Sequence, residues 1–349
     1  MPRLRLVLMA ALSCCVAAGF MQCASQKSKL EKAPATALKP QDDFKATMDA
    51  YNNADSIETK VRLWIDFLKR NPNNEYTLGT INHIVQNYYL KQKNDPDGAV
   101  KFALENLANL KDEKLKRRGD STLIRLYGKV GNKDHLRELA SQIEARRKLT
   151  LDDTIELGDA AVQAKDWDFA KKQGELLLAR STSETIRAEA GEKLSDEQAA
   201  KSADRRRGQA FMLMGRAALE LNDAQTALAH FGSAAKTADH QYAGLLSWPY
   251  EELNLYWAKA LLKSGDARAA MDKIAAEAVI QGDKPALEVL QESLKTAGIK
   301  ETPQQYSDRA RPRIAKTMPA FSAVDYDKKK LSWGELKGQV TLLAFWAPT

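Results

Sequence analysis

The sequence is short of the residues that many enzymes use for catalysis or metal binding. All three of its cysteines lie in the first 25 residues, and residues 26–349 contain none. This absence excludes disulfides, zinc sites with cysteine ligands and a cysteine nucleophile from residues 26–349. The four histidines are scattered without H-E-x-x-H spacing, and no glycine-rich phosphate-binding motif follows a strand. We therefore expect no metal and no cofactor.

Aromatic residues are also few, at 7%, and the charged residues are mixed rather than clustered. A chain rich in alanine and leucine with few aromatics favours a helical protein over a β-rich one. The net charge is +7, but the densest basic stretch is only Arg205–Arg207. Nucleic-acid binding needs basic residues concentrated on one face. We therefore expect no nucleic-acid partner.

Residues 1–25 have the organisation of a secretory signal peptide: two arginines, a mostly apolar run over 6–20, and then small residues. The apolar run is short for a membrane-spanning helix. Cleavage after Ser25 predicts an exported protein of the periplasm or cell envelope. Two alternatives stay open, namely a lipid anchor (on the LSCC stretch at 12–15 or on Cys23) and a retained anchor.

The remaining chain divides by its periodicity. Residues 26–44 are rich in lysine, proline and alanine without a repeating pattern, which predicts a flexible tether. Over 45–300, apolar residues recur at three- and four-residue spacing between Gly-Asp and Asn-Asp turns, which predicts an almost wholly helical domain. Residues 301–317 contain two prolines and no continuous apolar face, so we expect a linker there.

A repeat lies inside the helical region. In three places a small residue precedes another by twelve positions, and an aspartate stands four positions before the second one. Two antiparallel helices approach closely only where both carry small side chains, and the aspartate can accept from free N–H groups at the start of the second helix. Gly128 and Ala140 keep the interval, but the turn between them is misplaced, so this unit is weak. The predicted packing residues are Gly158, Ala170, Gly215, Ala227, Phe231, Ala258 and Ala270.

This spacing resembles that of the tetratricopeptide repeat. The resemblance implies a solenoid of stacked helix pairs whose concave surface binds protein or peptide partners. An irregular helical bundle is the alternative. The best match, over 208–241, uses Phe211, Gly215, Ala227, Phe231 and Ala234.

After residue 317 the pattern changes to that of an α/β protein. Residues 318–321 begin an extended segment, and the polar DYDKKK stretch at 325–330 predicts a hairpin-like turn. Ser332 and Glu335 have the spacing of a capping box at the start of a short helical turn. Residues 340–345 then form a continuous apolar run, typical of a strand buried on both faces of a sheet.

This order resembles the first part of the redoxin superfamily, the thioredoxin-like oxidoreductases and their alkyl-hydroperoxide-reductase relatives. The resemblance implies an incomplete thioredoxin-like domain over 318–349 that stops before the active-site cysteines, so the residues given include no catalytic group. It places Phe345, Trp346, Ala347, Pro348 and Thr349 next to the active site. A natural end, with the last strand paired elsewhere, is the alternative. The matching positions are Pro319, Phe321, Leu331, Ser332, Leu336, Lys337, Gly338, Phe345, Trp346 and Ala347.

Taken together, the sequence predicts a mainly α protein: a tetratricopeptide-like solenoid followed by an incomplete thioredoxin-like α/β segment. The expected parent protein is an exported thiol:disulfide oxidoreductase or peroxidase-like antioxidant enzyme. Its repeats would bind proteins or peptides, and its substrates would be thiol- or disulfide-containing proteins. The alternative is a non-catalytic envelope scaffold that mediates protein–protein interaction.

Overall fold

In the computed structural model, most of the predicted helical domain is described. Residues 1–37, which include the predicted signal peptide and most of the predicted tether, lie outside the described residues. Within the described part, the chain is mainly α, as predicted, with fifteen α-helices and one short hairpin. The described residues are 38–190, 194–238, 252–280, 282, 284–317, 322–324 and 330–332.

The helices follow one another closely along the chain. The first six are α1 (Pro40–Asn52), α2 (Ile57–Arg70), α3 (Thr77–Ile84), α4 (Pro96–Leu107), α5 (Glu113–Val130) and α6 (Lys133–Arg146), and α3 continues directly into a π-helix, Val85–Lys93. The next five are α7 (Leu151–Gln163), α8 (Trp167–Arg180), α9 (Ser183–Ala190), α10 (Asp196–Glu220) and α11 (Ala224–Lys236). The last four are α12 (Leu253–Lys263), α13 (Ala267–Ile280), α14 (Lys284–Thr296) and α15 (Pro303–Thr317).

Four helix pairs, α5–α6, α7–α8, α10–α11 and α12–α13, are joined through the same two-residue turn motif, which in the last three pairs follows one further residue. The first turn residue has a left-handed backbone, with φ between 58° and 91°. The second donates its backbone N–H to a carbonyl five residues earlier at 2.8–2.9 Å, which completes a Schellman motif. Its side chain then accepts from the N–H three residues later, as predicted for the aspartates. The turn pairs are Gly131–Asn132, Lys165–Asp166, Asn222–Asp223 and Gly265–Asp266.

The α5–α6 pair, which the spacing of Gly128 and Ala140 made a weak unit, has this same turn. Asn132 is the N-cap of α6, so the positions equivalent to the small residues elsewhere are Ile124 and Leu136. Both are fully buried. Gly128 instead faces the next pair, because a Cβ on it would lie 2.7 Å from Ala160 Cα in α7. The twelve-residue interval at Gly128 is therefore a coincidence of composition.

The core is a chain of apolar clusters rather than one centre. The largest cluster extends from α2 to α10, a second joins α10, α11 and α12, and a third joins α12 to α15. Consecutive clusters share a helix: α10 contributes Leu213 to the first and Met212 to the second. Because contacts are mostly between neighbouring elements, the arrangement is that of a helical solenoid.

Residues 301–317, predicted as a linker, form helix α15, and this corrects the domain boundary. Thr302 and Gln305 make reciprocal capping bonds of 2.9 and 3.2 Å, and Pro303 occupies the first turn, where it displaces no hydrogen bond. Tyr306 and Ala310 are buried against α13 and α14. The helix therefore continues the solenoid. At the other end, α1 begins at Pro40, inside the predicted tether.

Within residues 318–349, the structure describes a two-stranded antiparallel hairpin. Strand β1 (Ser322–Val324) pairs with β2 (Lys330–Ser332), with Ala323 opposite Leu331. Lys330, the last residue of the DYDKKK stretch, begins β2, and residues 325–329, where a hairpin-like turn was predicted, lie outside the described residues. The predicted helical turn at Glu335, the apolar run over 340–345 and the predicted active-site neighbours Phe345–Thr349 lie outside the described residues.

Candidate interaction surface

The seven predicted packing residues all lie in the four-pair region and are buried. Gly158 is in α7 and Gly215 is in α10, and each makes room for a neighbouring side chain. A Cβ on Gly215 would lie 2.6 Å from the Phe231 ring, and one on Gly158 would lie 2.6 Å from Leu213. These residues pack helices against one another, so a binding surface must be formed by other, solvent-exposed residues. The remaining five, fully buried, are Ala170, Ala227, Phe231, Ala258 and Ala270.

In the first helix of each of the four pairs, the residue eight positions before the capping Asn or Asp is buried, and we call this the crossing position. A charged residue directly follows it in every pair. Arg125 follows Ile124 in α5, and the equivalent positions in α7, α10 and α12 hold Asp159, Arg216 and Lys259. Each of the four is exposed or half-exposed. Since the four turns are identical, these positions have the same orientation in each pair and lie on one face. We call Arg125, Asp159, Arg216 and Lys259 the first-helix row.

Side-chain contacts between the first helices of neighbouring pairs join parts of this row. Arg125 in α5 forms an ion pair of 2.6 Å with Glu156, one turn before Asp159 in α7. Arg216 in α10 stacks over the Tyr256 ring of α12 at 4.4 Å from the ring centre, and Lys259 lies 5.0 Å from the same ring. Contacts of this kind position charged groups and leave them in reach of a ligand.

Asp159 lies among other charged groups of this row. Its residue surface is exposed to solvent, yet desolvation by surrounding protein raises its pKa. Glu156 raises the pKa further, and the Arg216 charge acts in the opposite direction. A ligand cation placed there would favour the charged form of Asp159.

Tyr256 marks the end of the row at α12. Burial is the main cause that raises the pKa of its hydroxyl, while Arg216 acts in the opposite direction and Glu252 adds to the rise. Glu252 also lies 3.7 Å from Arg216. The row therefore ends in an aromatic ring with an arginine on its face. Aromatic and arginine side chains of this kind dominate many protein interfaces.

The described histidines have packing or capping roles. His83 is hydrogen-bonded to Tyr51 at 3.1 Å, His135 to Asn132 at 2.9 Å, and His230 stacks on Phe211. Burial lowers the pKa of His83 and of His230. Among the described residues, no group of three or more histidine, cysteine or acidic side chains could hold a metal ion. In the same part of the chain, no helix is long and apolar enough to cross a membrane.

The first-helix row was not predicted from the sequence, although its signal is present there. The row is found only by asking which residue follows each crossing position, and its mixed signs leave no cluster in the linear sequence.

No protein-family model matches the sequence, and no curated protein matches it significantly.

Proposed function

We propose that the helical domain binds proteins or peptides within an exported thiol:disulfide oxidoreductase of the redoxin type. The observation that supports binding best is the first-helix row, which offers one charged side chain per helix pair; in a solenoid of stacked pairs, such a row would lie along the concave surface. Packed helices lie about 9 Å apart. An extended peptide rises about 3.3 Å per residue, so every third residue of a bound strand would meet the next helix.

The signs of the row specify the partner more closely. Along the array the charges are positive at Arg125, negative at Asp159, and positive at Arg216 and Lys259. A complementary peptide would carry an acidic residue, then a basic one about three positions along, then acidic residues again. Such alternation favours one register over its neighbours, because a one-helix shift opposes like charges.

The redox part of the proposal is supported by the resemblance of residues 318–349 to redoxins alone. In this proposal, cysteines encoded beyond Thr349 would supply the chemistry. A thiolate at a helix N-terminus would attack a substrate disulfide, and a second cysteine would resolve the mixed disulfide. The repeats would hold the substrate protein nearby.

A second candidate is a binding scaffold without catalysis. The first-helix row alone is enough to support it. The two candidates agree on the binding surface and differ only in the thiol chemistry. The gene sequence beyond codon 349 separates them, because the absence of any downstream cysteine would refute the oxidoreductase.

Binding is tested on the full-length protein with one charge reversal. Asp159→Lys inverts the sign in the middle of the row at an exposed position, so the fold should survive. We expect it to reduce the set of envelope proteins cross-linked to the repeats; if a resolving cysteine exists, its replacement would trap those partners as mixed disulfides.

The matched control is Glu175→Lys, the same change of charge at an exposed position of α8, the second helix of its pair. It should leave partner capture unchanged. Reduction of a small disulfide should be equal in both variants, because that reaction does not need the repeats. If Asp159→Lys and Glu175→Lys capture partners equally, the first-helix row is not the binding surface.

A further inference from the structure

An apolar groove lies apart from the first-helix row, where α4, α5 and α6 meet. Its volume is about 590 Å³. The floor is leucine, with Leu107 and Leu110 on one side and Leu123 and Leu139 on the other. Leu104 stands at the edge and keeps 41% of its surface exposed. Leu104 therefore extends the apolar surface of the groove to its solvent-exposed edge.

The groove exists because α4 and α6 both pack against α5 and hardly against each other. Gly119 contributes to the depth, because it has no side chain to fill the space beside α4. A Cβ there would lie 3.2 Å from Leu107 and 3.3 Å from Leu110. The groove is therefore formed by the packing of three helices, and it is present before any ligand binds.

The groove is bordered by excess positive charge. Lys116 and Arg146 line it, together with Asp120, which is buried and accepts from Arg146 at 3.0 Å. The segment 111–118 that leads into α5 has five basic and two acidic residues, and the segment 144–148 that ends α6 has three basic and one acidic. Two cations and one carboxylate therefore line the groove, and its rim carries a small net positive charge beside the leucine floor.

We propose that this groove docks an acidic amphipathic helix of a partner protein, with leucine-type side chains on one face and aspartate or glutamate beside them. A helix that lays its apolar face into such a groove is a common mode of recognition. The chain's own segment before α1 is a poor occupant, because residues 26–39 carry four lysines and one glutamate and would meet the rim with like charge. This site is independent of the proposed peptide-binding row.

The test selects peptides from a random library displayed on phage, against the intact protein. Counter-selection uses Ala145→Trp, which fills the groove from an exposed position. Peptides that survive should combine leucine at helical spacing with acidic residues. Their binding should weaken about tenfold to a hundredfold in Leu104→Glu, which loses one apolar contact and adds a repelling charge. The matched control is Leu221→Glu, at a leucine with 45% exposure at the end of α10, which should bind like wild type.

Three results would overturn the proposal. The first is the absence of any peptide that distinguishes the intact protein from Ala145→Trp. The second is enrichment of basic peptides, or equal loss of binding in Leu104→Glu and Leu221→Glu. The third is sedimentation of the protein with anionic phospholipid vesicles that depends on Leu104, since the groove would then serve a membrane surface. Circular dichroism of each variant confirms that it is folded.

Discussion

A close approach between the backbones of two helix pairs makes Gly128→Ala an informative single substitution. Gly128 in α5 lies against α7, and an added Cβ would be 2.7 Å from Ala160 Cα, 2.8 Å from its Cβ and 2.9 Å from its carbonyl oxygen. Two of these three atoms belong to the backbone, so no side-chain rotation can relieve the overlap. The helices must separate, which loosens the apolar contacts on both sides of the crossing.

The magnitude follows from two opposing effects. Overpacking of a rigid site costs up to about 3 kcal/mol. Replacing a mid-helix glycine by alanine gains about 1 kcal/mol of helix propensity. We expect Gly128→Ala to lower the free energy of unfolding by about 2 kcal/mol. The matched control is Gly232→Ala in α11, where nothing lies within 4 Å of the added Cβ and only the propensity gain of about 1 kcal/mol remains.

The assay is urea unfolding followed by far-UV circular dichroism, combined with amide hydrogen exchange. Because a solenoid is held by contacts between neighbours, protection should fall first in α5 and α7. Adding Ala160→Gly to Gly128→Ala removes one of the three overlapping atoms but costs about 1 kcal/mol of helix propensity in α7, so it should not restore the wild-type stability. A Gly128→Ala protein as stable as wild type would refute the close approach of α5 and α7.

Two further predictions concern the turns and the buried ion pairs. Burial raises the pKa of Asp153, but hydrogen bonds from Arg147 and Thr150 outweigh it and lower the pKa below its usual value. The stability from this group is therefore full above about pH 4 and is lost as pH falls through the lowered folded-state pKa. Acid titration of the unfolding free energy should show a shallower loss in Asp153→Asn than in wild type, and equal slopes would contradict this. Lys165 has φ of 58°, so thermal unfolding should show Lys165→Gly stabilised by about 1 kcal/mol and Gly265→Ala, at φ of 91°, destabilised by as much; an opposite order would show that the turn is not left-handed.

The helical region and its turns were predictable because their chemistry is local. An aspartate after a left-handed residue satisfies the end of one helix and the start of the next within a few residues, whatever packs around it. The small residues were less informative. Gly128 faces the next pair and Gly215 faces its own pair, and spacing alone does not distinguish these two uses.

Helix α15 was missed because two prolines and a weak apolar face suggested a linker. The local signal was nevertheless present, since Thr302 and Gln305 form a capping box around Pro303. What the sequence could not supply was the neighbouring surface that buries Tyr306. The groove at α4, α5 and α6 is a similar case, because it depends on how far apart two helices lie on a third. The redoxin resemblance of residues 318–349 stays a prediction.

The turn, rather than the small-residue pair, sets the register of the first-helix row. In α5–α6 the crossing positions hold Ile124 and Leu136, two large side chains where the other pairs have glycine or alanine. Arg125 nevertheless reaches Glu156 of the next pair, as the row requires. What all four pairs share is a left-handed residue followed by a capping Asn or Asp, which in α5–α6 is Asn132. This turn fixes where the second helix starts, and it thereby fixes which residue of the first helix lies in the first-helix row. Charge at that position can therefore vary freely from repeat to repeat. Under the proposed function, this freedom would let one fold present a specific sequence of charges to a partner.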